Sequence, residues 1–344
     1  MRSPVQTLLS FLFCFSFVSA LTYRGADISS LEVVEAAGVH YTDSGTTKAF
    51  EGIIAAHGAN AARVRVWTSG TYNTAYAISM GKRIKAAGMT LIVDLHYSDT
   101  WADPGHQAIP SGWPTTLSGL NTQIYTYTQS IVSQFQAAGV TIDILQIGNE
   151  INNGLLWPVG KISVNGINPV SQLLHSAVNG ARSVASPKIM IHLANGWDSS
   201  GLQSFFNNVF IQGAFAKTDL DIIGVSFYPF YDTSATLSAL KSSLTMLANT
   251  VGKPIIVAET DWPEACSGVA LSESSIAVSA TGQATWISDI KNVLSALPNG
   301  LGQGILYWEP GWIGNAALGS GCSDNLLVSS NGATRTSIGV FQNM

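Results

Sequence analysis

Leu145-Gln146-Ile147-Gly148-Asn149-Glu150 is a short apolar run that ends on an amide and an acid. A run of this length, without helical periodicity, reads as a buried parallel strand. Ile255-Ile256-Val257-Ala258-Glu259 repeats the pattern further along the chain, again closing on a glutamate. Working outward from these two runs, similar ones lie over residues 23–27, 61–67, 89–96, 188–193, 221–228 and 304–308, and the full runs containing the glutamates cover 142–148 and 254–259. Amphipathic segments follow them and predict helices over 46–57, 76–87, 121–138, 169–184, 202–214, 236–248 and 282–297, with a short one over 336–343. Gly88 and Gly139 supply stop signals, and Pro169 suits a first helical turn.

Eight strand–helix units with no Pro-, Gly- or Ser-rich linker predict one domain, a (β/α)8 TIM barrel over residues 21–344. An open doubly wound sheet would carry a glycine-rich phosphate loop after its first strand, and none follows Asp27.

The bulk composition fits. Of 344 residues, 46% are hydrophobic and 11% charged, which excludes a disordered chain. A net charge of -5 argues against a nucleic-acid partner. Arg2, the apolar stretch from Leu8 to Val18 and the small residues Ser19 and Ala20 have the layout of a secretory leader over residues 1–20, cleaved after Ser19 or Ala20. No later run is long enough to span a membrane, so a secreted, extracellular protein is expected, with monomer as the default state. Cys14 leaves with the leader. Cys266 and Cys322 remain, and an oxidising compartment predicts a disulfide between them, with two buried free thiols as the alternative. No Asn-X-Ser/Thr site occurs in the mature chain.

In a barrel of this kind the functional groups sit at the C-terminal strand ends. Those ends offer Asp27, Arg65 with Trp67, Asp94 with His96, Asn149 with Glu150, His192, Tyr228, Glu259 and Trp308. The fourth and seventh strands lie across the barrel from one another, so Glu150 and Glu259 face each other over its mouth. Glycosidic bonds are cut by such a pair, one carboxyl protonated to assist the leaving oxygen and the other ionised. The competing reading of either glutamate alone is an ion-paired structural acid. Asn149 is placed to hydrogen-bond a sugar 2-hydroxyl, and Tyr228 to donate to Glu259. Arg63 and Arg65 share a strand face, and either one suits a partner to Glu259. His96 suits an assistant to Glu150 or a hydroxyl ligand, or equally a satisfied structural histidine. Trp101, Trp308 and Trp312 suit sugar platforms, with core packing as the alternative for each. Asp94, His96, Asp99 and Asp103 lack a diagnostic metal spacing, so no metal and no cofactor are expected.

These segments together are similar to one family. Tyr23-Arg24-Gly25-Ala26-Asp27, Arg63-Val64-Arg65-Val66-Trp67, the stretch from Asp94 to Pro104, Ile147-Gly148-Asn149-Glu150, Gly154-Leu155-Leu156-Trp157-Pro158, Phe227-Tyr228-Pro229-Phe230, Glu259-Thr260-Asp261-Trp262-Pro263 and Tyr307-Trp308-Glu309-Pro310 resemble the arabinogalactan endo-β-1,4-galactanases, glycoside hydrolase family 53. The resemblance covers nearly the whole mature chain. It implies an endo-acting enzyme on pectic β-1,4-galactan and retention of configuration, with Glu150 as acid/base and Glu259 as nucleophile. For that mechanism the two carboxyl groups are expected roughly 5 to 5.5 Å apart. The Cys266–Cys322 pair resembles the fungal branch, which implies no calcium in that loop region. Two positions depart from the pattern: Ala194 stands where the family is expected to carry an acid, and Asp261 where many relatives are expected to carry Asn or another polar residue.

Overall fold

The computed structural model describes residues 20–344. The expected leader therefore lies outside the described residues, Ala20 excepted. Eight parallel strands close into a barrel. They are β1 Tyr23–Asp27, β2 Ala61–Val66, β3 Thr90–Leu95, β4 Ile144–Ile147, β5 Lys188–Leu193, β6 Ile222–Ser226, β7 Ile255–Thr260 and β8 Gly302–Trp308. Each strand pairs with the next in sequence, and β1 closes the ring against β8. Gly25 permits the close approach of β1 to β2: a Cβ there would lie 1.8 Å from the carbonyl oxygen of Ala61.

The outer ring contains α1 Phe50–Ala56, α2 Thr74–Ala86, α3 Leu117–Ala137, α4 Asn168–Arg182, α5 Ser199–Val209, α6 Leu237–Thr250 and α7 Ala280–Ser295. Four begin earlier than their apolar periodicity suggests, because a polar cap holds the first turn: Asn73 for α2, Thr116 for α3, Asp198 for α5 and Ser279 for α7. The helix predicted over 202–214 ends at Val209, whose carbonyl is bonded sideways by the Ser171 hydroxyl. The helix predicted over 46–57 is corrected. Thr46–Lys48 instead pairs antiparallel with Tyr41–Asp43 in a hairpin, turned by Ser44 and Gly45 at positive φ, and the helix starts only at Phe50. A further helix, Leu31–Ala36, precedes that hairpin, and the C-terminal segment is a 3-10 turn, Thr336–Gly339, running into Val340–Asn343.

Period-2 alternation sorts the strand side chains into two cores. One packs against the helices. The other fills the bottom of the barrel with Tyr23, Ala61, Ile92, Ile144, Met190, Ile222, Ile256, Ala258 and Leu306, contributed by all eight strands. Above this plug the same inward rows turn polar. Arg63 follows Ala61, Asp94 follows Ile92, Gln146 follows Ile144, His192 follows Met190, and all are buried.

Strand β7 breaks the alternation. Ile255 and Val257 face the helices, and strict period 2 would send Glu259 the same way. The β6–β7 register instead slips: Val225 pairs with Val257, but Ser226 pairs with Glu259. Ala258 is thus an extra residue, a β-bulge that turns Glu259 into the barrel mouth.

Candidate active site

A cleft of about 570 Å³ opens over the C-terminal strand ends. All the side chains offered by the sequence as catalytic or sugar-binding line it: Glu150, Glu259, Arg65, His96, Trp101, Asn149, Tyr228, Trp308 and Trp312.

Glu259 is buried, and each of its oxygens has a donor. Nη1 of Arg63 lies 2.8 Å from Oε1, and the Tyr228 hydroxyl donates to Oε2 at 2.9 Å. The choice between the two arginines is therefore settled for Arg63. Its remaining hydrogens reach Asp27 at 2.9 Å, Asp94 and Asn149 at 2.8 Å each, and Gln146 at 3.0 Å. Arg65 belongs elsewhere. It pairs with Glu309 at 2.6 Å and lies between aromatic rings, 3.9 Å from the centroid of Tyr72 and 4.3 Å from that of Trp101.

Glu150 stands in poorer surroundings. It takes up the left-handed conformation directly after Gly148 and Asn149, with φ 49, a backbone strain of about 1 to 2 kcal/mol for a residue with a Cβ. Its carboxyl meets the Ser226 hydroxyl at 2.5 Å. Burial and the charge of Glu259 push Glu150 up to about 8. Burial raises Glu259 as well, but Arg63 and Tyr228 oppose that rise. Glu259 is thus the first of the two to lose its proton, and Glu150 the one to keep it.

The other predicted residues fall into place around this pair. Oδ1 of Asn149 is taken by Arg63, and one of its N–H groups donates to the carbonyl of Ala102 at 2.8 Å. Both ring nitrogens of His96 are occupied: Nε2 meets Asp94 at 2.9 Å, while Nδ1 accepts from the Ala102 amide at 3.1 Å and from Trp67 at 3.3 Å. His96 is thus a satisfied structural histidine rather than a direct assistant to Glu150. Burial alone would raise Asp94, but Arg63 and His96 outweigh it and hold the carboxyl below its usual range. Trp101, Trp308 and Trp312 gather on one wall, with centroid separations of 6.1 to 6.3 Å. Asp99 and Asp103 hold loop structure: Asp99 accepts from Thr68, in the loop after β2, and from the Ser111 amide of its own loop, and Asp103 accepts from the Gly105 amide. Cys266 and Cys322 are disulfide-bonded, joining the loops after β7 and β8.

Gln146, Ser226 and Glu309 were not anticipated. Gln146 and Ser226 were legible as polar interruptions of apolar strands, and Glu309 as an acid directly beyond β8. Asn195, Trp197 and Tyr231 also line the cleft, beside Ala194.

A (β/α)8 barrel with a polar layer above its apolar plug and two unequal carboxyls at its mouth defines a barrel glycoside hydrolase. The model of glycosyl hydrolase family 53 matches residues 23–341, and the chain belongs to that family. It is 48% identical over 345 residues to a probable arabinogalactan endo-β-1,4-galactanase A of Aspergillus fumigatus, covering 96% of each chain. To the arabinogalactan endo-β-1,4-galactanase of Thermothelomyces thermophilus it is 47% identical over 334 residues, covering 94% of this chain and 99% of that one. A solved structure from a study of two fungal β-1,4-galactanases superposes with a TM-score of 0.91 at 46% identity, over 94% of this chain and all of the other.

Proposed function

We propose that this chain is a secreted, monomeric arabinogalactan endo-β-1,4-galactanase, released from a leader over residues 1–20, that cuts its polysaccharide by retaining double displacement. The observation that carries the chemistry is the unequal setting of the two glutamates, Glu259 between Arg63 and Tyr228 and Glu150 with neither. The named activity of relatives matched over nearly their whole length supports the substrate. The hydrophobic leader pattern and the disulfide support secretion. No helix among the described residues is long and apolar enough to cross a membrane.

In the first step a Glu259 oxygen bonds to the anomeric carbon. The glycosidic C–O bond breaks with its electrons going to the leaving oxygen, and Glu150 protonates that oxygen. In the second step Glu150 takes a proton from water, the water oxygen bonds to the anomeric carbon, and Glu259 leaves as carboxylate. Trp101, Trp308 and Trp312 present the apolar wall against which sugar faces stack.

The test compares new reducing ends released from linear β-1,4-galactan, mannan and cellulose by the parent protein, Glu150→Ala and Glu259→Ala. Galactan cleavage by the parent and its loss in both variants supports the reading. Cleavage of a different β-glycan overturns the substrate, and binding without turnover overturns the enzyme. Initial release of the inverted anomer, followed by proton NMR, rules out double displacement.

A further inference from the structure

Ser226, buried at the end of β6, has one hydroxyl between two neighbours. Its Oγ lies 2.5 Å from Oε1 of Glu150 and 2.9 Å from Nε2 of His192. A serine hydroxyl carries one hydrogen, so it donates to only one of them at a time.

The direction is set on the far side of the imidazole. Nδ1 of His192 lies 2.7 Å from Oδ1 of Asn149, and Nη2 of Arg63 donates to that same atom at 2.8 Å. Arginine has only donors, so the Asn149 atom is the carbonyl oxygen, and a bare Nδ1 would meet it lone pair against lone pair. Nδ1 therefore carries the hydrogen. The amide nitrogen of Gln146 is also 3.1 Å from Nδ1, but its hydrogens have Asp94 Oδ1 at 2.6 Å and the Gly148 carbonyl at 3.1 Å. Burial and Arg63 hold His192 well below its usual value, which keeps the ring neutral. Nε2 is then a bare acceptor, and it takes the Ser226 hydrogen. Oγ is left presenting a lone pair to Glu150, and the short contact closes only if Glu150 supplies the proton.

We propose that Ser226 and His192 form a two-position hydroxyl switch for Glu150, which rests on the reading of Glu150 as the acid/base. In the resting enzyme Glu150 donates to Ser226 and Ser226 donates to His192. When the Glu150 proton passes to the leaving oxygen, the Ser226 hydroxyl swings from His192 to the new carboxylate. No proton leaves the pair, and His192 stays neutral throughout. When Glu150 regains a proton from water, the hydroxyl swings back. Ser226 and His192 are positioning residues, since they act through Glu150.

The groups facing Glu150 are Glu259 from β7, Arg63 from β2, Asp103 from the loop after β3, and Tyr228 and Tyr231 beyond β6. His192 faces Arg63, Asp94 and His96. All of these remain in the variants that follow.

The experiment measures kcat/KM against pH for the parent, Ser226→Ala, Ser226→Thr and His192→Phe, on galactan and on dinitrophenyl β-galactobioside, whose leaving group needs no proton. Ser226→Ala is expected to lose about 10- to 100-fold on galactan, up to the lower end of full general acid–base effects because Glu150 itself remains, and to keep most of its activity on the aryl substrate. Without the hydroxyl the Glu150 carboxylate loses a donor, so the basic limb moves to higher pH. Ser226→Thr restores galactan cleavage and the parent profile. His192→Phe frees the hydroxyl to donate to Glu150 permanently, so its basic limb moves the opposite way, to lower pH. If His192→Phe does not fold, the Ser226 variants alone decide. Equal losses on both substrates, or an unmoved basic limb in Ser226→Ala, overturn the switch. Full galactan cleavage by Glu150→Ala would instead remove the reading of Glu150 on which the switch rests.

Discussion

Nη1 of Arg63 lies 2.8 Å from Oε1 of Glu259, and the guanidinium that makes this contact is also the only cation within ion-pair distance of Asp27 among the described residues. Asp94 lies on its other side, so one buried arginine faces three carboxyl groups. A point charge cannot replace a planar fork that meets groups from several strands. Arg63→Lys is therefore expected to retain the fold and to lower kcat on galactan by about 100-fold or more, comparable to removing one preorganised donor. Arg63→Met leaves the acids without their cation and is expected to cost about 3 to 5 kcal/mol in urea unfolding. A Lys variant with the parent's kcat would show that the fork is not needed.

The two glutamates predict a bell-shaped dependence of kcat/KM on pH. Activity is expected to fall as pH rises through about 8, where Glu150 gives up the proton it needs as an acid. It also falls on the acid side, where Glu259 takes up a proton, above the ordinary glutamate value because burial outweighs Arg63 and Tyr228. The limbs belong to the coupled pair.

Tyr228→Phe removes the donor to Oε2 of Glu259. The ionised form is then less favoured, so the acid limb moves to higher pH while the basic limb stays near its place. A loss of roughly 10-fold in kcat at the optimum is expected for one hydrogen bond to a charged group. Measured profiles of the two proteins decide it, and an acid limb that moves down instead contradicts the pairing.

The barrel was legible because each strand is a short, nearly unbroken apolar run, and Glu150 and Glu259 because an acid at the end of such a run has few structural reasons to be there. Other features depend on relations no single run records. The turn of Glu259 into the cleft requires the bulge at Ala258, which appears only in the register against Ser226. The choice between Arg63 and Arg65 depends on how far a long side chain leans, since both share one strand face. The hairpin of Tyr41–Asp43 with Thr46–Lys48 was hidden because its second strand runs almost directly into the apolar face of α1. Glu309 and Gln146 gain meaning only from partners distant in sequence, Arg65 and Arg63.

Asp261 provides a stability prediction. It is fully buried, and among the described residues neither of its carboxyl oxygens has a hydrogen-bond partner. Burial and the neighbouring Glu259 hold it well above the usual aspartate value. The unfolded chain releases this proton at ordinary aspartate pH while the native state keeps it. Its contribution is therefore fully present below the unfolded value and is lost as pH rises toward the folded one. Asp261→Asn is neutral at every pH. The difference in Tm between variant and parent is thus expected to be small near pH 4 and to widen in the variant's favour toward pH 8. Two melting curves that stay parallel across that range would contradict a protonated Asp261.

Arg65 and Glu309 support the aromatic wall from beneath. Both are buried, the guanidinium lies against Tyr72 and Trp101, and Glu309 also accepts from the amide and hydroxyl of Ser30. Removing one member of a buried ion pair leaves the other charge unmatched, whereas removing both charges avoids that cost. Arg65→Met is therefore expected to lose about 3 to 5 kcal/mol in urea unfolding, and Arg65→Met with Glu309→Gln to regain most of it. Function follows a different course. In the parent Trp101 rests on the guanidinium, which both variants lack, so both are expected to show a raised KM for galactan with a smaller change in kcat. Stability that recovers while KM does not would separate the ion pair from the platform it holds. A double variant as unstable as Arg65→Met would mean that the arginine acts through its stacking on Tyr72 and Trp101, and that its charge pairing with Glu309 adds nothing to the fold.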